Sequence, residues 1–235
     1  MQLKDKTAII TGGAAGIGKG LVRNFVKEGA NVLFVDINED AGLELEKELG
    51  AAAKFLKTDI TAVGMEERIL TEALENFGGE LHILVNNAQA SKPKLLLDVE
   101  QADLDLSFNT GLWATWKLMR ASYTHLAKTK GTIINFASDV GLEGVPNHGA
   151  CAMNKEAIRG LTRTAAKEWG HAGIRINVIC PGTAAEDYKW WRENHVDEAK
   201  ELEDIAPIVV FLASDASQYM TGQTIMADGG SIMLR

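Results

Sequence analysis

The 235-residue chain has little cysteine, a shortage of basic residues and no long apolar run, and each scarcity excludes a class of protein. Two cysteines, Cys151 and Cys180, do not make a disulfide framework, so we expect a reduced, cytoplasmic protein. The formal net charge of −8 disfavours a nucleic-acid surface, which is usually basic. The apolar runs have the length of strands and are too short to span a membrane. The five histidines form no ligand-spaced cluster with acids or cysteines, so we predict no metal site.

What the sequence contains is an almost unbroken alternation of strand and helix patterns. Short apolar runs predict strands at 7–10, 31–36, 54–57, 83–86, 131–137, 174–179 and 224–227. Helical spacing of apolar residues predicts helices at 21–26, 39–49, 65–77, 104–126, 153–169 and 205–212. This alternation predicts an α/β fold, a doubly wound parallel sheet with helices on both faces. No repeat, low-complexity segment or long linker divides the chain, so we expect one domain over residues 1–235.

The turn after the first predicted strand is rich in glycine and reads Thr11-Gly-Gly-Ala-Ala-Gly-Ile-Gly18. Glycine lets a backbone turn sharply and approach a pyrophosphate without a clash from Cβ. A helix that begins at such a turn directs its unpaired N–H groups and its positive dipole end at the anion. Between a strand and a helix the motif predicts a phosphate site, although spaced glycines also occur in ordinary tight turns.

The second predicted strand ends on an acid, Asp36. A carboxylate there is placed to accept hydrogen bonds from an adenosine ribose 2′-hydroxyl, and it would repel a 2′-phosphate. The residue therefore favours NAD over NADP as the cofactor. The alternative is a solvated aspartate in a loop between a strand and a helix.

Further motifs stand at the carboxyl ends of the later strands, where open α/β sheets bind ligands. After the glycine turn and Asp36, the chain carries Asp59-Ile60, Asn86-Asn87-Ala88, Ser138, Lys155, Pro181-Gly182 and Asp228-Gly229-Gly230. Taken together, these motifs resemble the short-chain dehydrogenase/reductase family in its single-domain form, over nearly the whole chain. The resemblance implies a Rossmann-type sheet of about seven strands, a nicotinamide cofactor, and a homotetramer or homodimer.

The resemblance also implies which residues contact the cofactor. It implies that the pyrophosphate loop is formed by Gly12, Gly16, Ile17 and Gly18. Asp36 would then bind the ribose, and Asp59 and Ile60 would lie beside the adenine. The remaining implied contacts are Asn87 and Ala88 in the cofactor cleft, and Pro181, Gly182 and Thr183 near the nicotinamide.

The reaction implied by the resemblance is hydride transfer between nicotinamide and the carbinol carbon of a secondary alcohol or ketone. Asn109 matches an asparagine that anchors a relay water, and Ser138 matches a serine that binds the substrate oxygen. Lys155 matches a lysine that holds the ribose and lowers the pKa of a catalytic tyrosine. The expected partner is therefore a small alcohol or carbonyl compound.

The catalytic tyrosine is absent, because the family spacing from both Ser138 and Lys155 leads to Cys151. If the helix has begun there, Cys151 and Lys155 share one helix face at positions i and i+4. In one interpretation the thiol, its pKa lowered by Lys155, is the proton donor and works through a bridging water. In a second, the protein binds NAD without turnover, as a sensor or scaffold, and the cysteine is natural or engineered. In a third, His148 is the donor.

Two more positions depart from the family pattern. Gln89 stands where the family has glycine, so its side chain either crowds the cofactor cleft or points away. Glu186 stands where the family has a threonine. The segment at about 183–203 corresponds to the family's substrate lid and carries Tyr188, Trp190, Trp191 and His195. These rings either cover an apolar substrate or pack the lid onto the body.

The two long predicted helices, 104–126 and 153–169, carry large apolar residues on more than one face. Among them are Trp113, Trp116 and Trp169. A helix that is apolar on several faces needs more than one partner surface. The pattern is consistent with the oligomer that the resemblance implies, and also with an ordinary internal core.

Overall fold

The computed structural model describes residues 1–182, 205–230 and 232. The predicted substrate lid at about 183–203 lies outside the described residues. The same holds for the residues of interest within it, Thr183, Glu186, Tyr188, Trp190, Trp191 and His195. The rest of the predicted site falls within the described part of the chain.

Seven strands of the described part form one sheet in which all pairings are parallel. They are β1 (Thr7–Thr11), β2 (Asn31–Asp36), β3 (Ala53–Lys57), β4 (Ile83–Asn86), β5 (Thr132–Phe136), β6 (Arg175–Pro181) and β7 (Thr224–Ala227). Their order across the sheet is β3-β2-β1-β4-β5-β6-β7. The predicted Rossmann-type α/β fold is therefore confirmed.

Helices cover both faces of this sheet. Those described are α1 (Gly16–Lys27), α2 (Glu39–Leu49), α3 (Met65–Asn76), α4 (Gln101–Phe108), α5 (Ala114–Thr129), α6 (Asp139–Glu143), α7 (Gly149–Trp169) and α8 (Ala206–Ala213). Short 3₁₀ turns lie at Gly50–Ala52, Leu96–Asp98, Gly170–Ala172 and Asp215–Ser217. Local capping fixes some of these ends: Asn38, before α2, accepts a hydrogen bond from the Ala41 N–H at 3.2 Å.

The core lies on both sides of the sheet, because successive side chains of a strand point to opposite faces. In β1, Ile10 packs into the cluster that contains Phe25 of α1 and Val209 of α8. The neighbouring Ile9 packs into the cluster that contains Ile69 of α3 and Leu118 of α5. Strands that are buried on both faces read as continuous apolar runs, which is the pattern that predicted them.

The predicted long helix at 104–126 is not continuous. The chain forms α4, then a π-helical turn at Asn109–Trp113, then α5. Asn154 of α7 accounts for the change, since its Oδ1 accepts a hydrogen bond from the Leu112 N–H at 2.8 Å and removes that donor from the helical ladder. Gly111 permits the approach, because a Cβ there would collide with the Asn154 side chain.

Helix α7 begins at Gly149, earlier than the predicted start at 153. Cys151 therefore lies inside the helix, one turn before Lys155. The short helix α6 has no counterpart in the prediction. It is capped by Ser138, whose Oγ accepts a hydrogen bond from the Val140 N–H at 3.2 Å.

The direction in which strands are added changes at β1. Strands β2 and β3 lie on one side of β1, and β4 to β7 lie on the other. The loops that follow β1 and β4 consequently diverge, and a crevice opens at the carboxyl ends of these two strands. The predicted site residues at or after the ends of β1, β2, β3 and β4 line a cavity at this crevice.

Candidate active site

The glycine turn joins β1 to α1 in a conformation that only glycine adopts without strain. Gly12 has a φ of 67°, and an added Cβ at Gly18 would collide with the Gly12 carbonyl oxygen. Gly16, Ile17 and Gly18 form the first turn of α1, which has no side-chain cap and no acidic residue. Its N–H groups are therefore available to an anion.

Residues that follow β4 brace this turn from the other side of the crevice. Thr11 Oγ1 accepts hydrogen bonds from the backbone N–H groups of Asn87 and Ala88, both at 3.0 Å. The Asn87 side-chain amide donates to the carbonyl oxygens of Thr11 at 2.9 Å and Gly12 at 3.2 Å. Asn87 and Ala88 thus hold the shape of the predicted pyrophosphate loop.

Asp36 flanks the same turn at the end of β2. Its Oδ2 accepts a hydrogen bond from the Ala14 N–H at 3.1 Å, and its Oδ1 accepts one from the Asn38 N–H at 3.0 Å. These bonds fix the carboxylate beside a cavity of about 460 Å³. The predicted cofactor contacts that line the cavity are Gly12, Asp36, Asp59, Ile60, Asn87 and Ala88.

Ser138 and the side-chain amine of Lys155 both lie at the end of β5. Ser138 follows the strand and is buried, and the Lys155 Nζ reaches from α7 to donate to the Phe136 carbonyl oxygen at 2.9 Å. Burial lowers the pKa of Lys155 from 10.5 to about 8, because the ammonium loses hydration. The nearby Cys151 and Cys180 act in the opposite sense.

Cys151 is half-buried, and its Sγ lies 3.9 Å from Oε1 of Gln89. Burial raises the pKa of the thiol, and this effect exceeds the lowering by the Lys155 charge and the Gln89 hydrogen bond. Lys155 lowers the thiol pKa as expected, but burial outweighs it, so the net shift of the pKa is upward. At neutral pH the thiol keeps its proton.

Gln89 points into the site rather than away from it. Its Nε2 donates to Ser107 Oγ at 3.2 Å and to the Ala90 carbonyl oxygen at 3.2 Å. Ser107 is buried in α4 and donates to the Ala150 carbonyl oxygen at 3.0 Å. A polar cluster of Gln89, Ser107 and Cys151 thus joins α4 to α7 where the tyrosine was expected. No sequence signal marks Ser107.

Asn109 is not brought into this cluster. It begins the π-helical turn and is exposed, as Trp113 is at the end of that turn. His148 precedes α7, and its Nδ1 lies 2.8 Å from the Pro146 carbonyl oxygen.

The structure therefore gathers Ser138, Cys151 and Lys155 and leaves Asn109 on the surface. Pro181 ends β6, and the Gly182 N–H donates to the Ala227 carbonyl oxygen of β7 at 3.1 Å.

Known proteins are similar in sequence to this chain along nearly its whole length. A family model described as enoyl-(acyl carrier protein) reductase matches residues 12–231. A 12alpha-hydroxysteroid dehydrogenase of Clostridium sp. is 38% identical, over 96% of each chain. The chain belongs to the short-chain dehydrogenase/reductase family. As a member of this family it is an oxidoreductase.

Other short-chain dehydrogenase/reductase relatives match over similar lengths. A diacetyl reductase ((S)-acetoin forming) of Staphylococcus epidermidis is 34% identical over 97% of this chain and 99% of its own. A 3-alpha-(or 20-beta)-hydroxysteroid dehydrogenase of Mycobacterium bovis is 35% identical over 98% of this chain and 91% of its own. Among the residues described, no helix is long and apolar enough to cross a membrane, and no three acidic, histidine or cysteine side chains are grouped to hold a metal.

Proposed function

We propose that this short-chain dehydrogenase/reductase member is an NAD-dependent oxidoreductase that interconverts a secondary alcohol and its ketone. The observation that carries the cofactor choice is the Asp36 carboxylate, fixed beside the cavity at the end of β2. In that position it accepts hydrogen bonds from ribose hydroxyls, whereas the 2′-phosphate of NADP would meet a like charge.

The residues present suit a dinucleotide. The uncapped first turn of α1, with Gly12 before it, would hold the pyrophosphate. Asp59 and Ile60 would flank the adenine, and Lys155 would bind the nicotinamide ribose. When bound, the cofactor supplies the hydride acceptor or donor. Thr183, Pro181 and Gly182 complete the proposed contacts on the nicotinamide side.

The substrate class rests on the names of the relatives. Hydroxysteroids and acetoin carry a hydroxyl on a secondary carbon, and diacetyl is a ketone. We therefore propose a small-molecule secondary alcohol or ketone, with its oxygen bound at Ser138. In the family, the catalytic tyrosine lies beside that oxygen, and Cys151 stands at its position here. Asn109 is exposed, and this assignment gives it no catalytic role.

A second candidate function is an NAD-binding protein without turnover, acting as a sensor or scaffold. Two observations favour it. The Cys151 thiol keeps its proton because burial raises its pKa, and the Gln89 side chain occupies space next to it. Neither group reproduces the reach or the acidity of a phenol beside a lysine.

One experiment decides between the two candidates. The protein and Cys151→Tyr are assayed side by side, by NADH absorbance, on hydroxysteroids, acetoin and diacetyl. Quenching of tryptophan fluorescence by NADH confirms in each case that the cofactor site is intact. Turnover by the unmodified protein supports the oxidoreductase. NADH binding without turnover, restored only by the tyrosine, supports the silent binder.

We further propose that the chain is a single-domain cytoplasmic protein that forms a homodimer or homotetramer. Trp113, Trp116 and Met153 are 48%, 39% and 44% exposed, and they lie on the π-helical turn, α5 and α7. Apolar surface of this kind favours burial against another copy of the chain. In size-exclusion chromatography with light scattering, a monomeric mass would contradict this proposal, and a dimer that Trp113→Ser with Trp116→Ser dissociates would support it.

A further inference from the structure

A buried carboxylate stands next to the serine of the proposed site. Asp139 is the first residue of α6 and is 1% exposed. The Ser138 Oγ donates a hydrogen bond to Asp139 Oδ1 at 2.8 Å. The serine hydrogen is therefore directed at the carboxyl group of Asp139.

The remaining bonds of the pair decide what Ser138 can do for a substrate. The Val140 N–H donates to both Asp139 Oδ1, at 2.7 Å, and Ser138 Oγ, at 3.2 Å. A hydroxyl oxygen has two lone pairs, and this bond uses one of them. With its hydrogen directed at Asp139, Ser138 is therefore set to accept a hydrogen bond from a substrate hydroxyl rather than to donate one.

The other polar groups of the site are engaged elsewhere. The Cys151 thiol is directed at Gln89 Oε1, and the Lys155 Nζ donates to the Phe136 carbonyl oxygen. Burial raises the pKa of the thiol, so it lacks the anionic form that a proton acceptor needs. The charge of Asp139 also raises the pKa of that thiol, so the carboxylate acts on the same site as Ser138 and Cys151.

We propose that Ser138 and Asp139 together accept the substrate proton in place of the absent tyrosine. The inference rests on the proposed function. During alcohol oxidation the O–H bond of the substrate breaks and its proton moves to Ser138 Oγ, while the serine's own hydrogen moves to Asp139 Oδ1. The electron pair of that O–H bond would form the carbonyl, and the proposed cofactor NAD⁺, when bound, would supply the acceptor for the hydride that leaves the carbon. Ketone reduction runs through the same steps in reverse.

Ser138 is the catalytic residue of this pair, since it touches the reacting oxygen, and Asp139 is a positioning residue that stores the proton. Asp139→Asn tests the role, because an amide can still accept the serine hydrogen bond but is not a proton acceptor at neutral pH. General acid–base catalysis contributes about 100-fold to 10,000-fold to a rate. We therefore expect kcat for alcohol oxidation to fall by about 100-fold or more, with KM and NADH affinity unchanged.

The same substitution made in the Cys151→Tyr variant separates proton transfer from a structural role of Asp139. In Cys151→Tyr the phenol takes over the proton, so Asp139→Asn should then cost less than about tenfold. Equal losses in both backgrounds would indicate that Asp139 only supports the fold, and would overturn the relay. Asp40→Asn, an exposed acid in α2, is the matched control and should leave kcat unchanged.

A readout without cofactor or substrate complements the kinetics. The infrared difference spectrum between the unmodified protein and Asp139→Asn should contain a carboxylate band at neutral pH, and Ser138→Ala should shift that band. A protonated carboxyl band instead would overturn the relay.

If the unmodified protein turns over and Asp139→Asn lowers its kcat by less than about threefold, the relay is overturned but the proposed function is not. Absence of turnover by the unmodified protein would contradict the proposed function and the relay with it.

Discussion

The two ends of the crevice are built in different ways. At the end proposed to bind adenosine, the site is made mainly of backbone: a glycine turn with positive φ at Gly12, an uncapped helix start, and peptide groups bonded to Asp36 and Thr11. At the reaction end it is made of side chains, and three of them, Gln89, Ser107 and Cys151, form a cluster of their own.

This difference shows why one end follows its sequence pattern and the other departs from it. A backbone turn tolerates few substitutions, because an added Cβ at Gly18 meets a carbonyl oxygen rather than a movable side chain. The residues of a side-chain cluster can be substituted together by other residues, provided that the polar groups of the new set are again hydrogen-bonded. Substitutions at the two ends should therefore differ in kind: loss of binding at the backbone turn, and altered turnover at the side-chain cluster.

Gly18→Ala should abolish most cofactor binding, because the new methyl group forces the Gly12 peptide out of place. We expect the Kd for NADH to rise roughly 100-fold, which corresponds to about 3 kcal/mol. Gly160→Ala is the matched control, since a Cβ at this helix position meets nothing within 4 Å. It should leave the Kd unchanged, and an equal loss in both variants, measured by fluorescence titration, would contradict the backbone account.

Lys155 should make the stability of the cofactor-free protein depend on pH. Below pH 8 the side chain is charged in both states, so the folded state bears the full cost of burying it. As the pH rises from about 8 to 10.5, the folded state loses the proton first, so stability increases, by up to about 3 kcal/mol.

Urea unfolding at several pH values measures this effect as the difference between the unmodified protein and Lys155→Met. Lys167→Met, an exposed residue of the same helix, controls for the general effect of removing one lysine. A difference that stays constant from pH 7 to pH 10 would contradict the lowered pKa of Lys155.

Cys151→Tyr should raise kcat about tenfold or more, because the phenol is a better proton donor beside Lys155 than a thiol with a raised pKa. Adding Gln89→Gly should raise kcat further, since Gln89 fills the space next to position 151. Cys151→Phe provides a ring without the hydroxyl. If this variant gains as much as the tyrosine, packing rather than proton transfer explains the gain.

Asp36→Asn should have the smallest effect, because an amide keeps one acceptor for the Ala14 and Asn38 N–H groups. We expect NADH affinity to fall roughly fivefold, about 1 kcal/mol, and NADPH affinity to rise as the charge is removed. Titration with both cofactors measures the ratio. An unchanged ratio would contradict the assignment of Asp36 as the residue that selects NAD.

The strands could be predicted from sequence because their information is local. The middle of β2, residues 32–35, is apolar and buried, and the strand ends at the charged Asp36. The π-helical turn could not be predicted in this way, since it depends on Asn154, which contacts Leu112 only after α7 has packed against α4 and α5.

The reaction end could be predicted only in part for the same reason. Ser138 and Lys155 were identified through the resemblance to the family, but the pairing of Gln89 with Cys151 joins positions far apart in the chain. Asn109 matched a motif and yet lies on the surface, because the π-helical turn alters which residues of this region face inward. Asp139 carried no signal beyond its place after Ser138.

The strand order also determines the order in which the strands can pair during translation. During translation β1, β2 and β3 can pair as soon as residue 57 has left the ribosome, while β4 has not yet emerged. Until residues 83–86 arrive, β1 presents an open edge of unpaired peptide groups flanked by apolar side chains. The edge of β1 that later pairs with β4 beside the crevice is thus, for a short time, exposed and prone to aggregation in the nascent chain.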